Sequence, residues 1–95
     1  MDKRDMKPAR VFEQFANICE IPRPSKREEK MIEYLRNWGA SHNLETKVDK
    51  VGNVLIKKGA TPGHEDRLKV IIQSHMDMVC DKLVDKDFDF DNDAI

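Results

Sequence analysis

The 95 residues contain no apolar run longer than three, the longest being Val54-Leu55-Ile56, Val70-Ile71-Ile72 and Met78-Val79-Cys80. A membrane-spanning helix needs about 20 such residues and the core of a secretory signal about 7–15, so neither is expected. The reading is a soluble, cytoplasmic chain. Only two cysteines occur, Cys19 and Cys80, with no C-x-x-C pair. That spacing favours reduced, buried thiols over a disulfide framework or a thiolate metal site. Neither sign of charge dominates, since 17 Lys and Arg face 18 Asp and Glu. Without a basic field there is no general attraction for phosphate backbones, which excludes nucleic acid as an expected partner. No internal repeat is present.

The even balance hides a split. Residues 83–95 hold five Asp against one Lys, leaving the first 82 residues net positive. Apolar content of 39% is enough for one compact domain. A chain of this length buries only roughly 60–65% of the surface its unfolded form exposes, so its stability alone is expected to be modest.

Pro8 suits a helix start, and Val11, Phe12, Phe15, Ala16, Ile18 and Cys19 recur at spacings of three and four. This predicts an amphipathic helix whose stripe is core. Ile21-Pro22-Arg23-Pro24 cannot continue it, because proline lacks a donor and pushes its predecessor toward extended backbone. Ser25 followed by Glu28 reads as a capping box that opens a second helix at about Lys26. Met31, Ile32, Leu35 and Trp38 would be its buried face, with Gly39, Ser41, His42 and Asn43 marking its end. Residues 44–48, the turn Asp49-Lys50-Val51-Gly52 and residues 53–58 predict a β-hairpin. Residues 59–66 form a polar connection. Residues 68–74, nearly continuous in apolar character, predict a strand buried on both faces. The expected fold class is α/β, with two helices packed on a small mixed sheet of about three strands.

Ser74-His75-Met76-Asp77 follows that last segment. Alternation along a strand would put His75 and Asp77 on one side with Met76 opposite. A metal-ligating imidazole needs its second ring nitrogen held by an acceptor, and a carboxylate two residues on can supply it. His75 is therefore the candidate metal ligand and Asp77 the candidate catalytic-site residue that orients it. By itself the pattern also fits a bland strand-end pair.

The run Val70-Ile71-Ile72-Gln73-Ser74-His75-Met76-Asp77-Met78-Val79-Cys80 resembles the first metal-ligand segment of the aminoacyl-histidine dipeptidases, also called cytosolic nonspecific dipeptidases. Phe12 through Ile18, Ile21-Pro22-Arg23-Pro24-Ser25, Glu28-Glu29 and Asp49-x-x-Gly52-Asn53-Val54 resemble the same family's amino-terminal region in order and spacing. The resemblance spans nearly the whole chain. It implies a di-zinc hydrolase acting on dipeptides, with an α/β catalytic domain and a second lid or dimerisation domain through which a homo-oligomer would form. It further implies zinc ligation by His75 and orientation of that ring by Asp77. The family's bridging Asp, Glu-Glu pair, further Asp ligand and distal His lie beyond the matched segment. Residues 1–95 are thus expected to be the amino-terminal, incomplete part of a metallopeptidase catalytic domain, inactive alone. The non-enzymatic alternative is an interaction module whose open sheet edge pairs with another chain.

Three other features receive plainer readings. The tail at 85–93 begins like a calcium loop, but Asn92 stands where that loop needs glycine, so a solvated acidic connection is expected. His42 and His64 have no partner at ligand spacing and are expected at the surface. Trp38 is expected in the core rather than as a stacking platform.

Overall fold

The computed structural model describes residues 2–79 and 87–93. Their elements are helices α1 (Ala9–Cys19) and α2 (Glu29–Ser41) and strands β1 (Glu45–Val48) and β2 (Val54–Lys57), preceded by one 3-10 turn at Lys3–Asp5. The chain divides into two compact units, one of Met1–Met31 with Asp77–Ile95 and one of Ile32–Met76.

In the first unit α1 starts directly after Pro8 and ends on Glu20, whose N–H bonds Asn17 and Ile18 carbonyls. Only part of its apolar stripe is core: Ala16 and Cys19 are buried and Phe12 and Ile18 half-buried, whereas Val11 and Phe15 are largely exposed. Cys19 is a buried free thiol, and Cys80 lies outside the described residues. Arg4 reaches across to Asn17 Oδ1 at 3.1 Å and Glu20 Oε1 at 2.9 Å, tying the 3-10 turn to the end of α1. Met31, at the start of α2, is also buried.

Helix α2 begins three residues later than expected, at Glu29. The capping box does not form. Lys26 adopts a positive φ of 70° and donates its own N–H to Glu28 Oε1 at 2.7 Å, while the Ser25 hydroxyl bonds elsewhere. A residue turned into left-handed backbone between Ser25 and Glu28 breaks the geometry that a reciprocal cap requires.

In the second unit α2 runs on through the buried Gly39 to Ser41. It stops at Asn43, whose φ of 57° lets Leu44 N–H reach Gly39 O and Asn43 N–H reach Ala40 O. This pair of bonds satisfies carbonyls that the last turn leaves without helical partners. His42 stacks on Trp38 with ring centroids 4.1 Å apart, so the half-buried Trp38 does carry a stacked ring.

The hairpin forms as its pattern predicts. β1 and β2 are antiparallel with Thr46 opposite Ile56 and Val48 opposite Val54, and these four side chains make its half-buried face. Asp49 organises the turn: its carboxylate accepts the N–H groups of Val51 and Asn53 and the Asn53 side-chain amide, all within 2.9 Å. Gly52, at φ 93°, occupies backbone that other residues rarely adopt.

The α/β class holds, but the sheet has two strands among the described residues. Residues 68–74 are not the interior strand expected. Leu68, Val70, Ile71 and Ile72 are 81–94% exposed and enter no ladder among the described residues. A strand covered on both faces needs neighbours on both edges and layers above and below, and no described segment supplies them.

Candidate functional site

The residues around Asp77 are positioned by the proline-bounded segment at 22–25. Pro22 and Pro24 are buried, and Pro24 forms an isolated parallel bridge with Met78. Met78 N–H donates to Arg23 O at 2.9 Å, and Ser25 N–H donates to Met78 O at 3.1 Å. The Arg23 guanidinium bonds Ile18 O at 2.8 Å and Ile21 O at 3.1 Å, joining the end of α1 to the turn that follows it. Its other amino group lies 3.1 Å from Met78 Sδ.

Asp77 is half-buried and its Oδ2 accepts the Ser25 hydroxyl at 2.6 Å. His75 is exposed. The expected placement of both at the carboxyl end of a paired strand is not what forms, since pairing begins only at Met78. The period-two alternation used to put His75 and Asp77 on one side therefore has no ladder to enforce it.

Zinc would require several converging donors. Among the described residues no group of three His, Cys, Asp or Glu side chains could hold a metal ion. The donor chemistry of His75, with a carboxylate two residues on that is itself held by a hydroxyl, fits one arm of a zinc centre and not a complete one.

The acidic segment is occupied with its own turn. Asp89 accepts the Asp91 N–H and the Asn92 side-chain amide, and Asp93 Oδ2 accepts the Asp89 N–H. The Asn92 amide is the main reason the Asp89 carboxyl titrates below its ordinary range, followed by the Asp91 N–H. Arg27 meets Asp91 Oδ2 at 2.9 Å and Lys30 Nζ meets Asp91 O at 2.7 Å. Asp85 and Lys86 lie outside the described residues. Phe88 and Phe90 contact each other edge to face, with ring centroids 5.1 Å apart. His64 is exposed in a turn, its N–H bonded to Thr61 O.

What sequence reasoning missed is Ser25 as a partner of Asp77. The serine was visible, but a contact between residues 52 positions apart leaves no local signal.

No protein-family model matches the chain. The chain is 42% identical over 90 residues to the cytosol non-specific dipeptidase of Escherichia coli, covering 95% of this chain and 19% of that protein. The crystal structure of aminoacylhistidine dipeptidase from Vibrio alginolyticus superposes with a TM-score of 0.94 at 41% identity, over the whole of this chain and 19% of that one. Fold and sequence are thus similar to one segment, about a fifth of the length, of two dipeptidases. More particularly, the part of the aminoacylhistidine and cytosol non-specific dipeptidases that it resembles is their amino-terminal part. It spans about a fifth of the length of the relatives it matches.

Proposed function

We propose that this chain forms the amino-terminal part of a zinc-dependent, cytoplasmic aminoacyl-histidine dipeptidase, with His75 as one zinc ligand and Asp77 as the acid that orients its ring. The observation that carries the reading is the match to two dipeptidases at above 40% identity, over nearly the whole of this chain. Bound zinc would supply an activated water and a polarised scissile carbonyl. His75 would contribute a neutral imidazole nitrogen, and Asp77 would accept a hydrogen bond from the other ring nitrogen and so hold the tautomer. The chain spans 19% of the length of the dipeptidases it matches, and by itself it is proposed to be inactive. A homo-oligomer, by this reading, would form through parts of the enzyme outside this chain.

The decisive experiment is a chimaera in which this chain replaces the matched segment of the Escherichia coli dipeptidase. Zinc-dependent hydrolysis of a His-containing dipeptide is expected, abolished by His75→Ala. A folded chimaera without activity would overturn the proposal, as would metal-dependent turnover by the isolated chain for the claim of inactivity.

One observation favours the interaction-module reading, namely the exposed apolar residues at 68–72. Such a module would be stable alone and indifferent to zinc, and it would not restore activity to the chimaera.

A further inference from the structure

We propose that Ser25 is a positioning residue whose hydroxyl fixes the carboxylate of Asp77; the inference rests on the function proposed above and adds a residue to it. Ser25 has no role in capping α2, which starts four residues downstream at Glu29, and the nearby Lys26 N–H is taken by Glu28. Its hydroxyl instead lies 2.6 Å from Asp77 Oδ2 and 3.2 Å from Met78 O.

A serine hydroxyl has one proton, so it serves one of these acceptors at a time. The distance decides which. A separation of 2.6 Å matches a charge-assisted O–H···O⁻ bond, whereas 3.2 Å is beyond the usual range for a hydroxyl donor. Asp77 therefore accepts the hydroxyl's hydrogen bond, and Met78 O is satisfied by the Ser25 main-chain N–H at 3.1 Å.

The hydroxyl is delivered on a backbone that cannot easily shift. The two main-chain bonds between Arg23, Ser25 and Met78 fix the spacing of the segments, and the buried Pro24 between Arg23 and Ser25 has a restricted φ. The Arg23 guanidinium locks the same turn to the end of α1. The last torsion of a carboxylate has broad minima. Holding Oδ2 sets the plane of the group and hence the direction in which Oδ1 accepts. An acid whose task is to aim an imidazole depends on that plane.

A purely structural latch predicts something different: Ser25→Ala would lower stability and leave the folded protein's zinc site unchanged. The test uses the chimaera described above, with zinc affinity measured by competition against a chromophoric chelator alongside kcat and KM. Ser25→Ala is expected to weaken zinc binding and lower kcat by about tenfold each, the lower end of what outer partners of metal ligands contribute, with KM changed less than about twofold. Ser25→Thr, which keeps the hydroxyl, should restore both, and it keeps the test valid if the alanine variant folds poorly. In an Asp77→Asn background Ser25→Ala should add nothing to the loss of zinc affinity, because the two residues act in series. Unchanged zinc affinity and kcat in folded Ser25→Ala, or full additivity with Asp77→Asn, overturns the inference alone. A parent chimaera that neither binds zinc nor hydrolyses removes the proposed function and this inference together.

Discussion

Gly39 of α2 lies against the side chain of Thr46 on β1, so closely that a β-carbon at position 39 would overlap Thr46 Oγ1. The glycine is thus a packing residue inside the helix, which continues past it to Ser41. In an open helix Gly→Ala gains up to about 1 kcal/mol. Here the overlap should reverse the sign. Overpacking of this kind costs typically about 1–3 kcal/mol, so Gly39→Ala is expected to destabilise by about 1–2 kcal/mol in urea unfolding. Thr46→Ala in the same chain should recover part of that loss; a Gly39→Ala protein more stable than the parent would refute the contact.

Asp49 governs the hairpin turn and its acid response. The Asn53 side-chain amide first, then the Asn53 backbone N–H, hold its carboxyl below the ordinary value of 3.8. A depressed folded-state pKa means that the turn's stabilisation is complete above the unfolded value and disappears as pH falls through the folded one. An NMR titration should place the Asp49 midpoint below 3.8, with the amide shifts of Val51 and Asn53 moving in step. Asp49→Ala should remove that titration and speed hydrogen exchange at Val54 and Ile56.

Arg27 and Asp91 pair at 2.9 Å with half of each side chain exposed. Exposed pairs contribute little, typically about 0.2–1 kcal/mol, and salt screens them. Arg27→Ala should therefore lower the urea midpoint slightly at low ionic strength and not at about 1 M salt. An equal loss at both would show that the arginine acts through packing.

The exposed residues at 68–72 should make the isolated chain self-associate. Val70, Ile71 and Ile72 combine high β-propensity with 81–93% exposure, the kind of segment that pairs with other chains. Light scattering should rise with protein concentration, and Ile71→Lys should suppress it without altering the hairpin or α1. A monodisperse parent chain would contradict this.

The elements most legible in the sequence were those built from neighbours. The hairpin followed from Asp49, Gly52 and the alternation of Val54 and Ile56, because a turn aspartate and a left-handed glycine act over four residues. The end of α1 followed from Pro22 and Pro24. The start of α2 is not legible locally, because Ser25 and Glu28 look like a cap in isolation while the hydroxyl is engaged by Asp77 across 52 residues. Residues 68–74 have an interior composition and an exposed position, because composition reports what a segment could bury, not whether anything covers it.

Sequence alone determined the local preferences and, through the run from Val70 to Cys80 and the matching segments before it, the likeness to dipeptidases. Only the tertiary structure decided that Ser25 serves Asp77 rather than a helix, that Gly39 is a contact rather than a stop, and that Val70 to Ile72 meet solvent. The physical reason is range. Propensities and turn chemistry act between residues a few positions apart, whereas a hydroxyl with one proton and an apolar side chain in search of cover are claimed by whichever group the folded chain brings within reach.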